Sequence, residues 1–232
     1  MAWFSTGKTN SDLIANMSRN GILKSDRVYE AMEKVDRAHY VVDKADAYID
    51  SPQYIGHGAT ISAPHMHAHA AEILLEYLRP GARVLDVGSG SAYLCSVFHR
   101  LVTTSDGAKG RVVGIEHIPE LVEWSKENVR KDGLGAALDD GEIILVAGDG
   151  RQGYPEGGPY DAIHVGAAAP TLPRSLVDQL ATPGRMFIPV GTGAQEVLQV
   201  DKHADGKVTE KTLFGVMYVP LTDRAKSDDG PR

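Results

Sequence analysis

Apolar positions recur along this chain in two rhythms. At helical spacing they run Leu13, Ile14 and Met17 with Gly21 as a stop, then Val28, Met32 and Val35 behind a capping Ser25. Met66, Ala70, Ile73, Leu74 and Tyr77 predict a third helix, capped by Ser62, with Pro64 in its first turn and an end at Arg79-Pro-Gly81. Leu94, Val97, Phe98 and Leu101 predict a fourth; Pro119–Arg130 and Pro173–Leu180 add two more. Between the helices fall short, nearly unbroken apolar runs at 82–87, 111–116, 142–147, 160–165 and 186–190. Such runs suit parallel strands covered on both faces, where alternation is not required. The last third changes character. Glu196–Asp201 and Lys207–Leu213 flank His203-Ala-Asp-Gly206, the signature of an antiparallel hairpin. Residues 43–58 read as loop. The stretch 150–159, rich in Gly and Pro, is an awkwardly bare crossover for parallel strands.

The run 82–87 carries Asp86 and ends in Gly88-Ser89-Gly90 before the fourth helix. Glycines there let backbone approach a ligand, and the helix start offers free N–H groups. The dinucleotide fingerprint wants a third glycine where Tyr93 stands, so that pattern fails. Asp86 suits an ammonium or a ribose better than a phosphate. Three readings stay open on this loop alone: an S-adenosylmethionine-dependent methyltransferase, another nucleotide enzyme, or a tight turn. Glu116, after the second strand, stands where a ribose-diol acceptor belongs, or is a solvated loop acid. Asp149 ends the next strand. A parallel sheet closing in an antiparallel hairpin favours the methyltransferase fold over a dehydrogenase domain.

Composition narrows the picture. The chain has 232 residues, enough for one domain with a full core. A net charge of −7 and no basic block argue against nucleic acid as a partner. One cysteine, Cys95, excludes an internal disulfide and fits a reducing compartment; its plain reading is a small buried residue. The N-terminal stretch lacks a basic n-region and an apolar core, and no apolar run suits a membrane span, so a cytosolic protein without a membrane partner is expected. No apolar stripe is left over, so a monomer is expected. His65, His69 and Glu72 have possible metal spacing or form a solvated face, and no metal is assigned. His164, inside a strand, reads as a satisfied core histidine or a substrate contact.

Three stretches resemble the protein-L-isoaspartate (D-aspartate) O-methyltransferases. They are Gly58-Ala-Thr-Ile-Ser-Ala-Pro-His-Met-His67; Gly148-Asp-Gly-Arg-Gln-Gly-Tyr154 with Pro159-Tyr-Asp-Ala-Ile-His-Val-Gly-Ala-Ala-Ala-Pro170; and Val219-Pro-Leu-Thr-Asp223. Met1-Ala-Trp3 and Asp36-Arg-x-His-Tyr40 resemble the eukaryotic branch. The resemblance spans nearly the whole chain in order. It implies a Rossmann-like α/β methyltransferase fold, with a mostly parallel central sheet, a C-terminal antiparallel hairpin and an N-terminal helical cap over the cofactor end. It implies one domain over 1–232: helices and active-site segment to 80, cofactor-binding core over 81–190, hairpin and closing strand over 191–223, then a flexible tail over 224–232.

The resemblance further implies S-adenosyl-L-methionine as cofactor, S-adenosyl-L-homocysteine as product, and isoaspartyl (and D-aspartyl) peptides and proteins as substrates, repaired through a succinimide. Ala59, Thr60, Ile61 and Ser62 are expected to line the site, with Ser62 catalytic, and His67 to contact the cofactor. Asp86, Gly88, Ser89 and Gly90 are expected at the methionyl end and Glu116, followed by His117, at the ribose. Asp149 and Gly150 are expected near the adenine, with Thr222 closing over the cofactor. Thr60, Ile61, Ser62, Val165 and Gly166 are expected along the substrate peptide. Ala92 departs from the family's Gly-Ser-Gly-Ser-Gly, which puts cofactor affinity in question. A substrate carboxylate is its own nucleophile at neutral pH, so no base is needed. Two rivals share the cofactor half: a small-molecule methyltransferase, and a cofactor-binding adaptor without turnover.

Overall fold

The computed structural model describes residues 5–104 and 107–221. Helix α1 (Asn10–Arg19) is capped by Thr9, whose hydroxyl accepts from the Asp12 N–H, and it buries Leu13, Ile14 and Met17. Helix α2 (Asp26–Glu33) follows Ser25, but the serine does not cap it. The Ser25 hydroxyl and the main-chain N–H groups of Lys24 and Ser25 turn instead to the Glu72 carboxylate on a later helix. Glu72 thereby ties the start of α2 to that helix, and it is a structural acid.

Residues 43–58 are only partly loop. Strands β1 (Gln53–Gly56) and β2 (Ala59–Ile61) form an antiparallel hairpin through Gly56-His57-Gly58, all three at positive φ. Strands this short offer too few positions for alternation to register. Helix α3 (Pro64–Leu74) begins after Ala63 with Pro64 in its first turn, so Ser62 stands one residue too early to cap it.

Strand β3 (Arg83–Val87) leads to α4 (Tyr93–Val102), and β4 (Arg111–Glu116) to α5 (Pro119–Lys131) and the short α6 (Gly135–Asp139). Then come β5 (Ile143–Ala147), β6 (Tyr160–Val165), α7 (Arg174–Gln179), β7 (Leu180–Val190), β8 (Gln195–Lys202) and β9 (Val208–Val216). One sheet holds them in the order β5-β4-β3-β6-β7-β8-β9, parallel from β5 to β7 and antiparallel through β8 and β9. Strand β7 starts well before Met186, because Ala-Thr-Pro-Gly184 hides an extended segment behind turn residues. The bare crossover takes two single 3-10 turns, Gly150–Gln152 and Pro155–Gly157. The Gln179 side chain of α7 pins it, accepting from Tyr154 N–H and donating to the Gln152 carbonyl.

Alternate strand residues point to opposite layers. Val84, Val112 and Phe187 join a core with α1 to α5. Leu85, Val113 and Met186 join a second with Leu176 and Val177 of α7. The N-terminal helices lie within the first layer, α2 packing on α3 and α4. It is the β1–β2 hairpin that reaches the carboxyl ends of the strands. After β5 the chain crosses back to β6 on the other side of β3, and this reversal opens a crevice at the ends of β3 and β6.

Candidate active site

The register of β3 and β6 sets Asp86 beside His164. Nδ1 of His164 donates to Asp86 Oδ1 at 2.7 Å, and the Cys95 thiol donates to Oδ2 at 3.2 Å. All three are buried, and burial together with the Asp86 charge pushes the Cys95 thiol well above its usual range. Phe187 stacks on the His164 ring at 5.6 Å. Cys95 is therefore more than filler: it orients a carboxylate at the floor of the crevice. His164 is satisfied and faces the crevice as well.

Gly88 and Gly90 both take positive φ, the conformation that makes the turn. A Cβ on Gly88 would still stand 3.8 Å from the Gly166 carbonyl carbon, so space is left between the loop and the end of β6. Ala92 also lies in the left-handed region, at φ +64, directly before α4. Glu116 closes the far side. One oxygen accepts from Gly90 N–H at 3.0 Å and the other from Ile118 N–H at 3.1 Å, with His117 Nδ1 2.9 Å from that second oxygen.

Two adjoining clefts result. The inner one, about 30 Å³, is lined by Thr60, Ile61, Ser62, His67, Asp86, Ser89, Tyr93 and His164. The outer one, about 290 Å³, is lined by His57, Gly58, Ala59, Glu116, His117, Ile118, Ala167 and residues 219–221. Thr60, Gly88, Gly90 and Gly166 belong to both. Neither lining includes a lysine or an arginine, while each holds one carboxylate. That donor set suits a ligand with cationic groups and hydroxyls and disfavours phosphate, as S-adenosylmethionine requires.

Most of the expected residues thus converge. Asp149 does not line either cleft: its carboxylate accepts from the main chain and guanidinium of Arg151, which lowers its pKa. Gly150 packs on Val87 and Leu221 just behind the outer cleft. Val165 is buried within β6, and only its neighbour Gly166 reaches the cleft. Thr222 lies outside the described residues, as do Trp3, Asp223 and the tail.

Two residues escaped the sequence. The Tyr218 phenol lies near Ser62, and loss of solvent around it pushes its pKa up to about 12. The Gln195 side chain grips the Tyr218 main chain from both sides, at 2.6 Å and 3.1 Å. Arg37, fully buried, donates to the Ser62 carbonyl at 2.9 Å. Tyr218 stands directly before the stretch Val219–Asp223 and Arg37 lies within Asp36-Arg-x-His-Tyr40, and that resemblance was the only signal for either.

Comparison with known proteins agrees with this geometry. The family model described as protein-L-isoaspartate(D-aspartate) O-methyltransferase matches residues 8–226. Protein-L-isoaspartate O-methyltransferase 1 of Arabidopsis thaliana is 50% identical over 93% of this chain and 92% of its own length. The Caenorhabditis elegans protein-L-isoaspartate O-methyltransferase is 50% identical over 97% of each chain. A crystal structure of the Plasmodium falciparum relative in complex with S-adenosyl-L-homocysteine superposes with a TM-score of 0.85, at 36% identity over 93% of this chain and 99% of that one.

Proposed function

The chain belongs to the protein-L-isoaspartate(D-aspartate) O-methyltransferase family, and from that premise we propose how its two clefts divide the work. The enzyme methylates the free carboxylate of L-isoaspartyl and D-aspartyl residues in damaged peptides and proteins, the first step of their repair through a succinimide. S-adenosyl-L-methionine supplies an electrophilic methyl group on a sulfonium and leaves as S-adenosyl-L-homocysteine. Glu116, with His117 beside it, takes the ribose hydroxyls, Asp149 and Gly150 stand on the adenine side, and Thr222 closes over the cofactor. Asp86 and the Gly88-Ser89-Gly90 backbone take the methionyl end. Ala59, Thr60, Ile61 and His67 form the wall between the two ligands.

The substrate carboxylate is ionised at neutral pH and needs no base. Ser62 orients it by donating a hydrogen bond. The narrow inner cleft strips water from it. The flanking peptide lies between Thr60–Ser62 and Val165–Gly166, held by main-chain bonds with little sequence preference. The observation that carries this reading is the pairing of acid-lined, cation-free clefts at the shared glycines.

We propose further that residues 1–232 act as one domain, as a monomer in the cytosol, on polypeptides and not on nucleic acid. The charge of −7 supports the last point. No described helix is long and apolar enough to cross a membrane.

The deciding experiment uses matched peptides that differ only in one aspartyl linkage. An isoaspartyl residue and its normal twin carry carboxylates of nearly equal charge and pKa, so only geometry can separate them. Methyl transfer to the isoaspartyl peptide should exceed that to its twin by at least ~10³-fold, about 4 kcal/mol of transition-state discrimination. Equal rates would sink the assignment.

A further inference from the structure

Arg37 has the largest fully buried side chain among the described residues, and it has no assigned role. It sits in a single 3-10 turn, Arg37–His39. Its own N–H is held by Asn10 Oδ1, while Asn10 Nδ2 donates to the carbonyls of Met32, Glu33 and Val35. No described carboxylate touches the guanidinium. Nη2 donates to the Ser62 carbonyl at 2.9 Å, Nη1 faces His67 Nδ1 at 3.5 Å, and the Tyr93 ring centroid is 5.6 Å away. Nε is sealed without a partner. Burial pulls the group down to about 10, against the opposing influence of Tyr93 and Asp50, so it stays cationic at neutral pH. A buried cation with no direct counter-ion is costly, so packing alone does not explain it.

A guanidinium only donates. Nδ1 of His67 must accept from it, and in a neutral ring the proton then sits on Nε2. The ring is held neutral: burial, then the charge of Arg37, then His164 on β6 and His65 on its own helix push its pKa well below the ordinary value. Tyr93 packs on the ring from α4 at 4.9 Å, and Asp86 lines the same cleft. Nε2 has no partner among the described residues and is not one of the sealed atoms, so it opens on the inner cleft.

We propose that Arg37 is a positioning residue: by gripping the Ser62 carbonyl and His67 Nδ1 it fixes His67 as a neutral Nε2–H donor aimed, beside Ser62, at a carboxylate in the cleft. A neutral donor fits this chemistry. An imidazolium would repel the sulfonium and would hold the nucleophilic carboxylate too firmly in the ground state. The carboxylate is either the substrate's or the one on the amino-acid end of the cofactor. Only that last identification rests on the methyltransferase reading.

The first test needs no activity. Long-range 15N–1H spectra of the ligand-free protein should show His67 protonated at Nε2 and bare at Nδ1 throughout about pH 6 to 8. A proton on Nδ1, or titration in that range, overturns the proposal whatever the enzyme does to isoaspartyl peptides. Arg37→Met should lower kcat/KM on the order of 10- to 100-fold, the scale seen when a functional histidine loses its orienting partner. It should also bring a His67 titration into the acid limb of the pH–rate profile. Arg37→Lys, which keeps the charge and one donor, should recover most of the loss. A rise confined to the KM of the peptide assigns the substrate carboxylate, and one confined to the cofactor assigns the other. Wild-type kinetics and an unchanged pH profile in a folded Arg37→Met would refute the role. If that variant does not fold, the wild-type spectrum and Arg37→Lys decide.

Discussion

Ser62 is free to meet a substrate because Ala63, and not Ser62, precedes the helix. Its main chain is anchored separately at the carbonyl by Arg37. Ser62→Ala should therefore slow methyl transfer by roughly 10- to 10³-fold while cofactor affinity stays nearly intact. An undiminished rate would remove Ser62 from the chemistry, and a trapped methyl-serine would show a covalent route instead. Glu116 is more entangled, since it holds Gly90 and Ile118 while lining the outer cleft. Glu116→Ala should weaken cofactor binding by about 1.5–3 kcal/mol in calorimetry; unchanged affinity would place the ribose elsewhere. Ala92 carries a left-handed backbone, which costs an L-residue roughly 1–2 kcal/mol. Glycine would relieve that strain but would forfeit a buried methyl, about 0.8 kcal/mol, and free the unfolded chain by roughly 0.4–1 kcal/mol. The terms nearly cancel, so Ala92 in place of glycine costs the fold little. At this scale the sequence was readable where chemistry shows as composition at a strand end: Asp86, Glu116, the glycines. Arg37 was not readable as a site residue, because it acts through a carbonyl far away in the chain.

Elements meet closely where α4 crosses β4. In the dinucleotide fold a third glycine on the helix permits that approach; here Tyr93 occupies its place, and the room comes from Gly114 on the strand. A Cβ on Gly114 would lie 2.7 Å from Leu145 Cδ2, 2.8 Å from Cys95 Sγ and 3.0 Å from Ser89 Cβ. Two of those atoms belong to the floor of the site. Gly114→Ala should thus destabilise the protein by about 1–3 kcal/mol and also weaken cofactor binding, since Cys95 must move off Asp86. Chemical denaturation alongside calorimetry checks both; a stability loss with unaltered affinity would show that the loop yields independently of the strand. The long strands and helices were legible because several turns of period fell within each. The β1–β2 hairpin was not: it is three and four residues long, and its Gly-His-Gly turn resembles loop punctuation. Strand β7 was read short for a related reason, with Thr182-Pro183-Gly184 masking its first half.

Parallel strands followed by a hairpin were legible for the molecule as a whole, yet strand order was not, since no local pattern says on which side of β3 the chain returns. The same distance from local pattern applies to the buried histidines, whose neutrality is a property of the assembled core. Burial is the leading cause of a lowered pKa at His67, His69 and His99. The sign follows directly. Below about pH 6.5 the unfolded chain binds protons that the folded one refuses, so stability is full above that value and falls as pH drops. His67 alone contributes a slope of up to about 1.4 kcal/mol per pH unit, because its folded pKa lies far below the unfolded one. Two effects oppose this. Asp132, with a pKa raised by burial, favours the folded state on protonation, but only nearer the carboxylate range. Shedding part of a charge of −7 also relieves self-repulsion, spread over a whole surface and screened by salt. Neither matches a buried imidazole in the window between about pH 6.5 and 5.5. The melting temperature should therefore fall steadily across that window at constant ionic strength, and His67→Gln should flatten the decline while lowering the neutral-pH value little. A wild-type profile that is level through the window would mean that the core admits the protons, and that the histidines around the site are not held neutral by burial.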